Sequence, residues 1–325
     1  MKVLLTGGTG MMGSNLAHGL VAAGHALRCL VMPGDPAELL DGLEAERMPG
    51  ELNDPESLAR AADGVEAIVH TAGVVTYWNR RASQLWQVNV EGTRALLDAA
   101  ARAGVRRFLH TSSIAALGYV EGDGLGDEQT PYNWGELGVH YCDAKRRSEE
   151  LVLAETRLET VAVNPGIVFG ERDLRVSASR MLVQSRRGGP PVAPPGSTTV
   201  CTARDMVAGH LAALTHGRNG ERYVLGGHTL SFQELFARIA PIVGGRAPGR
   251  VASRGTLLAF GLALEWGGLL TGKEPDFTRQ LAQLSSRNRM YSSAKAIEEL
   301  GFQVSELEPC LERTWAWLRG RQLVH

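Results

Sequence analysis

The stretch TGGTGMMG, Thr6 to Gly13, joins the first apolar run of the chain, KVLLT, to a helical segment, SNLAHGLVAAG. Its glycines Gly7, Gly10 and Gly13 recur at every third residue. Glycine permits a tight turn and lets the backbone approach a pyrophosphate, while the following helix offers free N–H groups and a partial positive charge. Glycine-rich turns are common, but on a strand–turn–helix unit this pattern predicts a dinucleotide site. The chain has no GxxxxGK[ST] sequence, which argues against a P-loop nucleotidase.

Further apolar runs alternate with helical patterns along the first half of the chain. EAIVHTAG (66–73), RRFLHTSS (106–113) and TVAVNPGIVFG (160–170) read as strands. This alternation predicts an α/β fold, a Rossmann-type doubly wound parallel sheet with helices on both faces. Ligands of such sheets bind at the carboxyl ends of the strands, where every motif considered below lies.

The alternation weakens after Gly170, and GGPPVAPPGS (188–197) reads as a linker. A chain of 325 residues accommodates two domains of about 150 residues each. We expect a dinucleotide-binding domain over 1–168, to which 198–218 returns. A smaller C-terminal α/β domain over 169–197 and 219–325 is expected to bind the substrate.

Composition excludes several function classes. The net charge of −1 gives no basis for nucleic acid as a partner, so a small-molecule substrate is expected. The four cysteines are scattered without CxxC, and the nine histidines form no ligand-spaced pair, so neither a disulfide framework nor a metal site is expected. The N-terminal apolar run is too short for a signal peptide, and we expect a cytoplasmic protein.

One strongly apolar segment, GTLLAFGLALEWGGLL (255–270), needs a separate explanation. It contains Glu265 and is shorter than the ~20 residues of a membrane span, so no transmembrane span is expected. A buried helix explains it. The alternative is an interfacial helix that lies on a membrane or covers an apolar substrate pocket.

The segment HYCDAKRRSEE (140–150) places Tyr141 and Lys145 four residues apart, on one face of a helix. Such a pair is common by chance, but it gains meaning beside a dinucleotide site. A tyrosine has a pKa near ~10, and a nearby ammonium together with a nicotinamide cation would lower it. Hydride transfer to a carbonyl also requires a second hydrogen bond to the oxygen. Ser113 is the favoured donor and Ser112 the alternative, although capping a turn is the ordinary function of such serines.

Together these motifs resemble the extended short-chain dehydrogenase/reductase family, within the NAD-dependent epimerase/dehydratase superfamily. The motifs in the family's order are TGGTGMMG, HTAG, VNVEGT, HTSSIAALG, Tyr141-x-x-x-Lys145 and NPGIVFG. GERYVLGG, LTGKEP and YSSAKAIEELGF make the chain look most like the branch of dihydroflavonol-4-reductases and hopanoid-associated sugar epimerase-like sequences.

The resemblance implies an NAD(P)-dependent enzyme whose catalytic set is Ser113, Tyr141 and Lys145. The residues that it implies for cofactor binding are Gly7, Thr9, Gly10, Met11, Met12, Gly13, Glu51, Leu52, Thr71, Ala72, Gly73, Asn89, Tyr141, Lys145, Pro165, Gly166 and Val168. Glu51 stands where the family has an aspartate near the adenine, and it keeps an acceptor there. Asn89 also has an ordinary interpretation as a structural amide.

Three interpretations of the reaction compete. The first is a carbonyl reductase or alcohol dehydrogenase acting on an apolar, cyclic or aromatic substrate. The second is a nucleotide-sugar epimerase or dehydratase, and the third is a non-catalytic dinucleotide sensor. The intact catalytic residues disfavour the third. The second needs a cation for the diphosphate, but the position that resemblance assigns to it holds Thr198, and Arg204 adjoins Asp205 at a helix start.

Apolar and aromatic residues near the catalytic motifs favour the first interpretation. The predicted substrate-binding residues are Val75, Tyr77, Trp78, Ser113 and Trp134, although Trp134 in particular also fits an ordinary core position. The second strand ends at Val31 and Met32, which offer neither the carboxylate typical of NAD sites nor the arginine typical of NADP sites. We therefore expect weak discrimination between NAD and NADP, with a preference for NAD. Helices over 83–103 and 141–156 resemble those of a four-helix dimer interface, which implies a homodimer.

Overall fold

A large parallel sheet dominates the computed structural model, which describes residues 1–324. Its seven strands have the order β3-β2-β1-β4-β5-β6-β9. The strands are β1 (Lys2–Thr6), β2 (Ala26–Val31), β3 (Ala45–Pro49), β4 (Ala67–His70), β5 (Arg107–Thr111), β6 (Glu159–Pro165) and β9 (Glu221–Leu225). Every neighbouring pair is parallel, which confirms the predicted Rossmann-type sheet.

Helices cover both faces of this sheet. The helices are α1 (Met11–Ala22), α2 (Pro55–Ala62), α3 (Ala82–Trp86), α4 (Gly92–Arg102), α5 (His140–Leu153), α6 (Arg180–Arg186), α7 (Ala203–His216), α8 (Phe232–Val243), α9 (Arg254–Thr271), α10 (Arg279–Ser285), α11 (Ala294–Leu300) and α12 (Leu307–Gly320). Because side chains alternate along a strand, Val3 and Leu5 join one core cluster with α1 and α7. Leu4 points to the opposite face and joins another cluster with α2 and α4.

A smaller sheet lies beyond the sixth strand. It contains β7 (Ile167–Phe169), β8 (Ser197–Thr202), β10 (His228–Ser231) and β11 (Asn288–Arg289). The sequence run 160–170 was expected to be one strand, but it divides at Gly166 into β6 and β7 of different sheets. A Cβ at Gly166 would lie 2.3 Å from the carbonyl oxygen of Thr199, so the crossing requires glycine.

The sheets do not follow the predicted domain boundaries at two points. β8 opens the segment 198–218 that was expected to return to the dinucleotide domain, yet it belongs to the small sheet. β9 falls within the range expected for the substrate domain, yet it pairs with β6 in the large sheet. Pairing between distant strands is not encoded in the local pattern of either strand, so the sequence could not show it. The division into two domains stays a prediction.

The apolar segment 255–270 forms α9, and the expectation that it is a buried helix is wrong. Only Leu257, Gly261 and Gly268 are buried. The helix is in contact with the rest of the chain through its glycines, because a Cβ at Gly261 would lie within 3 Å of the Thr278–Arg279 backbone. The exposed large apolar side chains of this helix are Phe260, Leu262, Trp266, Leu269 and Leu270. None of the helices within residues 1–324 has the length and apolar character to cross a membrane.

A buried ion pair connects α5 to the last strand of the large sheet. Glu149 is fully buried, and its Oε1 lies 2.8 Å from Nη1 of Arg222 on β9. Breaking such a pair leaves an uncompensated charge, which is costlier than losing an exposed pair.

We expect Arg222→Met to lower the free energy of unfolding by roughly 2–4 kcal/mol, because the buried carboxyl of Glu149 would lose its ion-pair partner. Urea denaturation measures the change. The control is Arg238→Met, which removes a half-exposed partner of Glu308 and should cost less than about 1 kcal/mol. Equal losses in the two variants would contradict a special contribution of the buried pair.

Candidate functional site

The glycine loop between β1 and α1 is packed too tightly for any side chain. Gly7 has a φ of +75°, and a Cβ there would lie 2.6 Å from the nitrogen of Ala72. A Cβ at Gly13 would lie 2.0 Å from the carbonyl oxygen of Gly7. Gly10 is the N-cap of α1 and offers no side-chain cap. The first turn of α1, with Met11 and Met12, therefore presents backbone N–H groups to the space above the loop.

The end of β4 is joined to the glycine loop. The Thr71 hydroxyl donates to the carbonyl of Thr6 at 2.7 Å, and the Ala72 nitrogen donates to the Thr6 hydroxyl at 3.3 Å. A Cβ at Gly73 would lie 3.1 Å from Oδ1 of Asn89, so a side chain would crowd this corner. The predicted residues Thr71, Ala72 and Gly73 thus lie beside the loop.

Asn89 holds the chain that leaves β4. Its amide accepts from the nitrogen of Val74 at 2.7 Å and donates to the carbonyl of the same residue at 2.8 Å. Asn89 lies in a π-helical turn, 87–91, between α3 and α4. Such turns often occur at functional sites because they redirect a side chain. The structural interpretation of Asn89 is thereby supported, alongside its predicted position next to the cofactor residues.

The remaining predicted cofactor residues lie around the same sheet edge. Glu51 is exposed after β3, whereas Leu52 is buried and fills the space above Gly92. Pro165 ends β6, and Gly166 follows it. The side chain of Val168 is buried in the core cluster with α1 and α7. Only its backbone is available for contact with a cofactor.

These residues fit a bound dinucleotide. The glycine cradle excludes side chains, and the uncapped start of α1 faces the same space, which is the arrangement that binds a pyrophosphate. Among residues 1–324 there is no cluster of side chains that could bind a metal ion.

The catalytic candidates meet at the end of β5. Tyr141 lies in the first turn of α5, and the Ser113 side chain is close enough to interact with its phenol. The Ser113 hydroxyl accepts from the nitrogen of Ala115 at 3.1 Å, so its own proton remains free to be donated. Lys145 is buried one turn further along α5, and its Nζ donates to the carbonyl of Thr111 at 3.1 Å. The three predicted residues are therefore brought together.

Burial controls the proton affinities in this group. Burial raises the pKa of the Tyr141 phenol to about 12, and the expected lowering of this pKa by Lys145 together with a nicotinamide cation stays a prediction. Burial also lowers the pKa of Lys145 to about 8, against a smaller opposing effect of Glu149. In the protein without a bound nicotinamide, Tyr141 is thus a protonated phenol at neutral pH.

The predicted substrate residues differ in their exposure. Tyr77 packs edge-on against Tyr141, with ring centres 5.5 Å apart, and Val75 is exposed. Trp78 is buried beneath Arg80. Trp134 has no exposed surface, and its indole donates to the carbonyl of Leu117 at 2.8 Å. The assignment of Trp134 to the substrate site is therefore corrected, because this side chain packs in the core.

Two charged side chains near the site lie outside the predicted site residues. Asp35 follows β2, and its Oδ2 accepts from the hydroxyl of Thr9 in the glycine loop at 2.6 Å. Its other oxygen lies 3.0 Å from Arg175. Arg289 on β11 is buried near Tyr141. The position of Asp35 just past β2 already predicts from the sequence that its charge would repel a 2′-phosphate, whereas Arg289 belongs to no motif and was missed.

Comparison with known proteins places the chain in a family. Residues 3–226 match the model of the NAD dependent epimerase/dehydratase family. The chain belongs to this family. The predicted extended short-chain dehydrogenase/reductase type is thereby confirmed, together with the enzymatic class of NAD(P)-dependent reductases, dehydrogenases and epimerases.

Individual relatives of this epimerase/dehydratase member include a sterol demethylase protein, a candidate dihydroflavonol reductase and an epimerase. The chain is 32% identical to sterol demethylase protein B of Methylococcus capsulatus, over the full length of both. It is 30% identical to a candidate dihydroflavonol 4-reductase of Synechocystis, over 98% of this chain and 95% of the relative. The crystal structure of a nucleoside-diphosphate-sugar epimerase from Pseudomonas aeruginosa superposes with a TM-score of 0.82 at 27% identity, covering 100% and 99% of the chains.

We expect Gly13→Ala to abolish NADH binding, because the new Cβ would collide with the Gly7 carbonyl and widen the pyrophosphate cradle. Fluorescence titration with NADH measures the loss. Gly135→Ala is the control, since a Cβ there meets nothing within 4 Å. NADH affinity within about twofold of the parent protein in Gly13→Ala would contradict the assignment of the cradle.

Proposed function

We propose that the chain is a carbonyl reductase or alcohol dehydrogenase for apolar, cyclic or aromatic substrates. The observation that carries this proposal is the convergence of Tyr141, Ser113 and Lys145 at the sheet edge that also bears the glycine cradle. A small molecule bound beside Tyr141 and Tyr77 would meet two aromatic rings on one side. Two relatives are named for a sterol and a dihydroflavonol, and these names agree with a substrate of low polarity.

Each residue of the set has a separate task in carbonyl reduction. The cofactor, when bound, supplies the hydride that adds to the carbonyl carbon. The protonated phenol of Tyr141 gives its proton to the carbonyl oxygen, so that the product is an alcohol. The free proton of Ser113 stabilises the negative charge that develops on this oxygen. Lys145 provides an N–H donor on the same face of α5 as the phenol, and this donor would bind the ribose of a nicotinamide cofactor.

Tyr141→Phe should abolish turnover while NADH affinity stays nearly unchanged, because only the transferable proton is lost. Ser113→Ala should lower kcat on the order of 10²-fold, as the loss of one oxyanion donor does. Steady-state cofactor oxidation with a panel of ketones and aldehydes measures both effects. Turnover of Tyr141→Phe close to that of the parent protein would remove the tyrosine from the mechanism.

A nucleotide-sugar epimerase or dehydratase is the second candidate, supported by the structural likeness to an epimerase. Its expected diphosphate site receives no support from the residues predicted for it. Thr198 is buried within β8, and Arg204 is exposed on α7. Asp205 accepts two hydrogen bonds from Ser305, so it binds the chain's own C-terminal segment.

For the cofactor we propose NAD, with Asp35 as the carboxylate that the second strand itself lacks. Asp35 touches Thr9 of the glycine loop, so a 2′-phosphate bound there would meet a negative charge. Arg175 forms an ion pair with Asp35 and offsets part of its negative charge, but the side chain of Arg175 is exposed. Asp35 disfavours a 2′-phosphate and Arg175 beside it weakens this effect. We therefore expect a moderate preference for NADH over NADPH.

We expect a preference for NADH of about tenfold, or ~1.4 kcal/mol. Asp35→Asn should reduce it, and Met32→Arg should raise NADPH affinity, because a guanidinium binds phosphate with two hydrogen bonds. Fluorescence titrations at fixed salt compare both cofactors, with Asp41→Asn as a control carboxylate more distant along the chain. A preference of the parent protein for NADPH above about 100-fold would contradict the proposal.

We also propose that the protein forms a homodimer through α4 and α5, and that it resides in the cytoplasm. The two helices lie side by side on one face of the large sheet. The outer surface of α5 carries Arg146 and Arg147. All four cysteines are buried and unpaired, which agrees with a reducing compartment. Light scattering at micromolar concentration should show a dimer, and a single 35.0 kDa species would exclude it.

A further inference from the structure

Arg289 lies in the short strand β11, which contacts β8 on one side and the segment 120–126 on the other. On one side Arg289 pairs with Thr198 of β8. On the other side the segment that follows Ser113 reaches the strand, because Val120 bridges to Asn288 and the Gly126 nitrogen donates to the Met290 carbonyl at 2.9 Å. The strand therefore connects the small sheet to the chain that carries the catalytic serine.

The Nε of Arg289 is buried without an acceptor, and within residues 1–324 the side chain makes neither a hydrogen bond nor an ion pair. The residue is 5% exposed, and its Nε has no hydrogen-bond partner. Within residues 1–324 no carboxylate lies within ion-pair distance of it. A buried charge that is neither paired nor hydrogen-bonded costs several kcal/mol, and arginine cannot lose its proton to avoid this cost.

Two other arginines are buried to a similar degree, and they show what a structural arginine looks like in this molecule. Arg28 donates to Glu46 and to the carbonyls of Ala61 and Asp63. Arg107 donates to Glu159 and to carbonyls of the segment that ends α7. Both are paired with a carboxylate and several carbonyls, whereas Arg289 has neither.

The surroundings of Arg289 place it close to the catalytic tyrosine. Its positive charge acts on the phenols of both Tyr77 and Tyr141. Helix α10, which precedes β11, contributes Leu281 and Leu284 to the apolar cluster around Tyr141. A molecule bound against Tyr77 and Tyr141 would therefore be close to both this apolar cluster and the guanidinium.

We propose that Arg289 binds an anionic oxygen group of the substrate, and that the substrate is an apolar carbonyl compound with one carboxylate. A guanidinium binds a carboxylate through two parallel hydrogen bonds, which would satisfy the donors that the protein leaves unpaired. This inference rests on the proposed reductase function. A phosphate would satisfy the same donors, and Arg289 does neighbour Thr198, where an epimerase would hold its diphosphate.

The charge balance favours the carboxylate over the diphosphate. One buried cation matches the single charge of a carboxylate, whereas a diphosphate carries more than one. The next arginine along the chain, Arg287, stacks over the ring of Tyr119 with its guanidinium carbon 5.0 Å from the ring centre. It therefore does not add a second free cation beside Tyr141.

The test compares 3-, 4- and 5-oxodecanoate with their methyl esters, using NADH and three forms of the protein: the parent, Arg289→Met and Arg289→Lys. The ester keeps the carbonyl and the apolar chain but removes the charge. For one of the acids, kcat/KM of the parent protein should exceed that of the ester at least tenfold. Arg289→Met should lower kcat/KM about 100-fold more for this acid than for the ester, because only the acid loses the buried partner of its carboxylate. Arg289→Lys should restore part of the acid preference.

Binding and stability provide readouts that do not depend on turnover. In calorimetry with NAD present, the parent protein should bind decanoate and Arg289→Met should not. The melting temperature of Arg289→Met without ligand should equal or exceed that of the parent, because an uncompensated charge has been removed. A lower melting temperature together with equal losses for acid and ester would show a structural role and overturn the inference.

The remaining outcomes separate the two anion sources and the two proposals. If Arg289→Met weakens the binding of UDP-glucose and leaves decanoate unaffected, the anion is a phosphate and the carboxylate is excluded. If the parent reduces acids and esters equally well, Arg289 has no anionic ligand although the reductase function stands. If the parent reduces no carbonyl compound but binds decanoate through Arg289, the proposed function fails and the anion site is supported.

Discussion

The close approach of three backbone segments at Gly7 is the constraint on which the site depends. The loop after β1 touches both the start of α1 at Gly13 and the end of β4 at Ala72, at distances that leave no space for a Cβ. This packing brings the uncapped first turn of α1 to the carboxyl edge of the sheet. It also fixes the chain after β4, which Asn89 then holds at Val74. The proposed cofactor cradle and one wall of the proposed substrate site thus depend on the absence of side chains at a few positions.

The second element of the site is α5, which carries a phenol and an ammonium into a buried environment. The bond from Lys145 to the carbonyl of Thr111 fixes the helix against the end of β5. Burial stabilises the neutral form of each group, so the pKa of Tyr141 rises to about 12 and that of Lys145 falls to about 8. A protonated phenol suits the reductive direction, in which the tyrosine must donate a proton. A nicotinamide cation nearby would favour the phenolate and so assist the reverse reaction.

The sequence predicted the parts of the site that depend on local geometry. The glycine loop, the Tyr141–Lys145 pair and Ser113 each lie at a strand end or helix start, where residue type and spacing determine the conformation. The features that were missed depend on contacts between distant segments. β9 joins the large sheet across an intervening small sheet, and Arg289 reaches Tyr141 from a strand of two residues. Trp134 lies close to Tyr141 in sequence, but its indole is used within the core, at the carbonyl of Leu117.

The central claim is that a hydride leaves the cofactor and stays on the substrate as a net reduction. Following deuterium from the reactive nicotinamide carbon of NADH tests this most directly. With an apolar ketone, the account predicts that deuterium appears on the carbinol carbon of the released alcohol, with one NAD formed for each alcohol. If the protein instead inverts a nucleotide sugar without net oxidation of the cofactor, and leaves the ketone unreduced, the reductase assignment is contradicted.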